Sequence, residues 1–268
     1  NPGSTKLFSW AGHGLECLEP QCAQGQRQPR PGKADRDVQI VTKCECVLQT
    51  VCQTARMTPL ILLPGMACDA DLWQAQQAAL ACQRPVRVAD VHQRADSLPA
   101  MAALLLAEQP GDLLLAGCSL GGMLAMEVAR QAPQRVRGLA LLGTTARPDT
   151  PELLALRRQA IGQFEQGLVE PLIRSNAMFA FHPANVAALT ERYLAMILRA
   201  GAAGLIRQNR AVMARADLRP HLAALACPTL VVGGLNDQLT PPDCSREIAA
   251  AIPRARLHLL ADCGHMLT

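Results

Sequence analysis

Lysine is almost missing from this 268-residue chain. All three lysines (Lys6, Lys33, Lys43) fall within the first 56 residues, and arginine alone supplies positive charge afterwards. That excludes a P-loop, whose glycines need a following lysine and then a serine or threonine. Aromatic side chains are equally scarce, at 3% of residues, and the formal net charge is only +4 with no basic cluster. Nucleic acid is therefore not an expected partner. No apolar run approaches the roughly 20 residues needed to cross a bilayer, so a membrane is not expected either. The opening stretch, NPGSTKLFSWAGHGLECLEP, lacks the basic start and apolar core of a secretory signal.

Cysteine is plentiful, with eleven residues, but its placement argues against a disulfide framework. Five (Cys17, Cys22, Cys44, Cys46, Cys52) crowd the first 56 residues and the rest are scattered singly. Cys44-x-Cys46 lacks zinc-knuckle spacing, and no His/Cys set follows at a regular interval. Most of these are read as reduced thiols of a cytoplasmic protein with no metal or cofactor. Half of the residues are apolar and only 18% are charged, which suits one large α/β domain with a substantial core.

Residues 1–56 differ in composition from the rest. QCAQGQRQPRPGKADRD is polar, proline-bearing and aperiodic, the pattern of a loosely held or disordered leader. VQIVTKCECVLQTVCQT has the residues for a strand or two, which could stand as first strands of the domain. The sharper expectation is that Met57 is the natural start and that 1–56 is upstream or expression-derived sequence. The domain then spans 57–268. At its other end DCGHMLT stops where a final helix is expected.

From Met57 onward, strand and helix patterns alternate. Strands are predicted at 60–63, 86–89, 113–116, 136–142, 229–232 and 256–260. Helices are predicted at about 71–81, 98–108, 120–131 and 244–251. A purely helical stretch, about 147–225, is inserted between two strands as a cap. Alternation of this kind means a mostly parallel sheet with helices on both faces. An insertion between strands would lie over their carboxyl ends, where ligands bind such sheets.

Within that frame LLLAGCSLGGMLAMEVAR, residues 113–130, holds Ser119 between Gly117 and Gly121 where a buried strand gives way to a helix. By itself G-x-S-x-G is a modest signal that a plain glycine-rich bend also satisfies. A dinucleotide fingerprint would need glycine where Ser119 stands. Strand, sharp turn and helix in that order make a nucleophile elbow, and glycines two residues either side leave room for the crowded backbone.

A serine hydroxyl needs a base, and the base an orienting acid. Of six histidines, His13 lies in the leader and His92 precedes the serine. His182 and His221 fall in the insertion, and His258 alternates as a sheet residue. His265 follows a strand end and a short polar turn, ADCGH, that delivers a ring to the carboxyl edge of the sheet. PTLVVGGLNDQLTPP places Asp237 just past another strand end, aimed at the same edge. Asp149 is the alternative acid; Asp217 shares its insertion, Asp243 opens a helix, and Asp262 is too close to His265 in sequence. Two backbone amides are expected to receive an oxyanion: Leu120, at the helix start, and Met66, turned inward after Gly65 in LLPGMACDADLW.

These four motifs, in this order and spacing, resemble the α/β-hydrolase superfamily, and most of all the small bacterial cap-bearing serine hydrolases such as carboxylesterases and enol-lactonases. The resemblance covers 57–268. It implies a Ser119–His265–Asp237 triad with an oxyanion hole from Met66 and Leu120. It also implies cleavage of a small-molecule carboxylic ester through an acyl-enzyme. Three departures stand out: Pro64 replaces the histidine of an HG motif, the first two strands are expected to be absent or replaced by the leader, and the given sequence stops before the C-terminal helix that the resemblance leads one to expect. Serine at the elbow argues against the aspartate-dependent dehalogenases and epoxide hydrolases. Lactone, thioester or carbon–carbon bond cleavage uses the same triad, and a non-catalytic ligand-binding protein on this fold is the alternative of another class. Phe164, Met178, Phe179 and Phe181 of the insertion are candidates for an apolar substrate pocket. Nothing in the sequence bears on oligomeric state.

Overall fold

The computed structural model describes residues 58–268. The leader, the expected start at Met57 and their five cysteines lie outside the described residues.

Six short strands form one sheet: β1 (Leu60–Leu63), β2 (Val86–Val88), β3 (Leu113–Cys118), β4 (Val136–Leu142), β5 (Thr229–Gly234) and β6 (Ala255–Leu260). Every pairing is parallel and the spatial order is β2-β1-β3-β4-β5-β6. Parallel neighbours cannot be joined by tight turns, so helices make the crossovers. These are α1 (Gln74–Leu80, entered through a 3₁₀ turn at Ala70–Trp73), α2 (Leu98–Glu108), α3 (Leu120–Gln131) and α8 (Pro242–Ala251). Between β4 and β5 the chain instead makes α4 (Pro151–Glu165), α5 (Val169–Ala180), α6 (Val186–Met213) and the single turn α7 (Arg219–Leu222).

The strands read as continuous apolar runs because both of their faces are buried. Ile61, Leu63, Leu115, Leu139, Leu141 and Val231 join α2, α3 and α8 in one core. Their neighbours Leu60, Leu62, Leu114, Ala116, Ala140 and Leu230 pack with Trp73, Phe164, Met196 and Leu205 in the other. That two-residue alternation sorts one sequence between two cores.

Element ends depart from expectation in understandable ways. β3 continues through Gly117 and Cys118, held by register with Leu141 and Leu142 although glycine disfavours a strand. α8 starts two residues early because Pro242 occupies its first position. α6 is interrupted at Gly201, whose φ of 65° no helix contains.

The strand order reverses between β1 and β3, since β2 lies to one side of β1 and β4 to the other side of β3. Beyond the carboxyl ends at such a reversal the loops diverge and leave a crevice. The loop after β1 and Ser119 after β3 face each other there.

Candidate active site

Ser119 stands between β3 and α3 with φ 55° and ψ −115°. For a non-glycine residue this conformation costs on the order of 1–3 kcal/mol and persists only where its surroundings impose it. Here they do. Ser119 N–H donates to Leu142 O at 2.9 Å, and Thr144 Oγ1 donates to Ser119 O at 2.7 Å. A Cβ on Gly117 would sit 2.1 Å from Gly121 O, and one on Gly121 would sit 2.0 Å from Leu63 O. Both glycines therefore have a steric reason. A serine at a helix start normally caps it through its hydroxyl, yet the Ser119 side chain makes no capping bond. Its Oγ lies 2.9 Å from His265 Nε2 instead.

His265 is carried by the segment that follows β6. Met266 N–H donates to Ala180 O at 2.9 Å, tying this segment to the end of α5. The other ring nitrogen, Nδ1, lies 2.9 Å from Asp237 Oδ2. Asp237 sits past the end of β5, and its Oδ1 accepts the amides of Leu239 and Thr240, both at 2.9 Å. Thr240 Oγ1 donates to Oδ2 at 2.8 Å and stands 3.2 Å from His265 Nδ1. Burial works to raise the Asp237 carboxyl, but the bond and charge of His265, with the Thr240 donors, outweigh it and hold the group below its ordinary value. An ionised Asp237 makes Nδ1 the protonated nitrogen and leaves Nε2 free to accept from Ser119. Asp237 and His265 are only 4% and 5% exposed, so this chain of hydrogen bonds is shielded from water.

The loop after β1 closes the opposite side. A Cβ on Gly65 would lie 3.5 Å from Ser119 Cβ, which measures how near Pro64–Cys68 comes. The Ala67 amide is already bound to Gln208 Oε1 at 2.7 Å. Leu120 is the first residue of α3, where an amide has no partner four residues back. Cys118, beside the serine, is buried within β3, and its thiol is pushed up to about 12, mainly by burial and then by the Asp237 charge. It stays protonated and does not compete as a nucleophile.

The remaining candidates are spread out. Asp149 does not approach His265; its buried carboxylate is held by Arg157 Nε at 2.6 Å and Arg215 Nη2 at 2.7 Å. His92 is buried and donates Nε2–H to Cys68 O at 2.9 Å, and burial lowers its basicity. His258 lies in β6, as expected. Phe164 is buried in the core shared with Val169 and Met196. Phe181 is buried edge-on to Tyr193, and its backbone lies 2.6 Å from where a Gly264 Cβ would be. Met178 and Phe179 are exposed. Thr240, Thr144 and Gln208 also support this site, although the sequence singles out none of them. A threonine before two prolines does signal a helix start, but nothing local marks the other two.

Among the described residues no group of three or more His, Cys, Asp or Glu side chains could hold a metal ion, all six cysteines are free thiols, and no helix is long and apolar enough to cross a membrane.

Known proteins resemble this chain in sequence and fold. A protein-family model described as alpha/beta hydrolase fold matches residues 58–268. The pimeloyl-[acyl-carrier protein] methyl ester esterase of Nitrosomonas europaea is 26% identical over 77% of this chain and 88% of its own length. A protein of Azorhizobium caulinodans provisionally named as the carbamate hydrolase RutD is 29% identical over 75% of this chain and 81% of its own. Among solved structures, a thermophilic esterase from Thermogutta terrifontis superimposes with a TM-score of 0.70 and 28% identity, covering 78% of this chain and 83% of that one. Matched along its whole described length, this chain is a hydrolase and belongs to the α/β-hydrolase fold family.

Proposed function

We propose that the protein hydrolyses a small-molecule carboxylic ester through an acyl-enzyme on Ser119. One observation carries the reading: the continuous relay from Ser119 Oγ to His265 Nε2 and from Nδ1 to Asp237 Oδ2, each step 2.9 Å. Both contacts are within the reach a nucleophile–base–acid arrangement requires. The esterase names among the relatives support the same reaction class.

His265 Nε2 takes the proton of Ser119 as Oγ bonds to the ester carbonyl carbon. Asp237 stays ionised and stabilises the imidazolium. The amides of Met66 and Leu120 receive the oxyanion, at the start of α3 where amide dipoles favour negative charge. Gln208 already occupies the Ala67 amide, which favours Met66 as the donor from this loop. The carbonyl re-forms, the carbon–oxygen bond to the alcohol breaks, and His265 protonates the leaving alkoxide. Water then attacks the acyl-enzyme, giving His265 its proton, and the acid leaves with Ser119 restored. No cofactor enters this sequence.

The inserted helices α4–α7 serve as a cap over the site, and the Phe181 backbone within this insertion runs against Gly264, next to His265. The test is hydrolysis of p-nitrophenyl esters of graded acyl length by the wild type and by Ser119→Ala. Short-acyl turnover that the substitution abolishes is the expected result. Folded wild type without turnover on these esters, lactones or thioesters overturns the reading. Binding of an ester ligand that survives in Ser119→Ala, with no turnover in either protein, would favour a binding protein.

A further inference from the structure

The loop after β1 contains a four-residue turn, Gly65–Cys68, closed by Cys68 N–H on Gly65 O at 3.1 Å. Its third residue, Ala67, has φ 55°, while Met66 is not among the residues of positive φ. That combination marks a type II turn, which usually takes glycine at this position because L side chains resist a positive φ. A type I turn spans the same four residues without that strain. The two forms differ by a half-turn rotation of one peptide, here the one joining Met66 to Ala67.

Both ends of that peptide are held. Its N–H donates to Gln208 Oε1 at 2.7 Å, and its C=O accepts from Cys68 Sγ at 3.4 Å. Gln208 lies on α6, 141 residues further along the chain, and is 0% exposed. Its Nε2 is buried without a hydrogen-bond partner, so the carboxamide is used only as an acceptor.

The geometry points to Gln208 as a positioning residue: by accepting the Ala67 amide it holds the strained type II turn and ties it to α6, and so fixes beside Ser119 the loop that carries the adjoining Met66 amide, where the oxyanion of the reaction forms. This rests on the proposed role of Met66. Gln208 touches no reacting atom. Its effect is confined to the transition state, where the oxyanion forms, because a ground-state ester gains little from the Met66 amide.

The test uses Gln208→Met, which keeps the shape of the side chain and removes both the acceptor and the unmet donor. The expected result is a fall in kcat of tenfold or more, KM within about twofold, and a melting temperature little changed. The double variant Gln208→Met with Ala67→Gly should recover much of the lost kcat, because glycine adopts the positive φ without a clamp. A residue that merely packs would not be rescued at position 67. Hydrogen exchange of the Ala67 amide reads the same clamp without any activity: protection in the wild type, lost in Gln208→Met. Unchanged Ala67 exchange, or a kcat that glycine at 67 does not restore, overturns the inference. An inactive wild type would count against ester hydrolysis alone, and the exchange measurement would still decide the clamp.

Discussion

The hydroxyl of Thr240 donates to Asp237 Oδ2, the same carboxylate oxygen that faces His265 Nδ1. Three donors besides the imidazole thus converge on Asp237: two amides on Oδ1 and this hydroxyl on Oδ2. The carboxylate is fixed in both charge and direction before any substrate arrives. Replacing the hydroxyl by a methyl, as in Thr240→Val, removes one charge-assisted bond worth about 1.5–3 kcal/mol. We expect kcat/KM to fall about tenfold, with Thr240→Ser restoring most of it, measured by steady-state ester hydrolysis.

Acid should weaken the fold through its pinned carboxylates. Asp237 and Asp149 both sit below their ordinary value of 3.8 in the folded protein, despite burial, because His265 holds the first, while Arg215 and Arg157 hold the second. A carboxyl lowered by folding stabilises the protein above its unfolded value. That stabilisation is lost as pH falls through the folded value. The melting temperature should therefore begin to fall below about pH 6.5, where burial keeps His92 neutral while the unfolded imidazole takes a proton, and drop further below about pH 4. Asp149→Asn should show a shallower drop over the acid range.

The Asp149–Arg215 pair is also a mechanical tie between the end of the β4 segment and the end of α6. The two side chains are 1% and 4% exposed. Asp149→Ala leaves the Arg215 charge buried with only carbonyl partners, at Arg147 and Val212. Losing one member of a buried pair costs about 3–5 kcal/mol. Urea unfolding should show a loss of that size, whereas Asp243→Ala, which removes an exposed pair with Arg246, should cost under about 1 kcal/mol.

Much of this site was legible in the sequence because each signal was local. Ser119 is framed by two glycines that the structure crowds from both sides, and His265 and Asp237 each follow a strand end by a few residues. What was not legible depends on distance. Gln208 meets Ala67 from 141 residues away and lies in a helix whose pattern gives no hint of it. Asp149 looked like an alternative acid because nothing nearby in sequence shows that Arg157 and Arg215 hold it. The break at Gly201 was hidden since the flanking residues keep a helical pattern across it.

Backbone crowding at the elbow predicts sharply different outcomes for similar substitutions. Gly117→Ala and Gly121→Ala each drive a methyl into backbone, at 2.1 and 2.0 Å. Neither neighbour has a flexible end that can move aside. Each should lose at least about 3 kcal/mol or fail to fold, the upper range for overpacking. Gly162, within α4, has nothing within 4 Å of an added Cβ, and Gly162→Ala should stabilise by roughly 0.5–1 kcal/mol. Thermal unfolding of the three variants makes the comparison.

Ser119 Oγ is the atom proposed to be acylated, with His265 removing its proton. Labelling with a fluorophosphonate, followed by intact mass and peptide mapping, tests it most directly. One adduct per chain is expected, on Ser119, absent from Ser119→Ala and slowed at least about a hundredfold in His265→Ala. An adduct on another residue, or labelling of Ser119 at the same rate without His265, would contradict it.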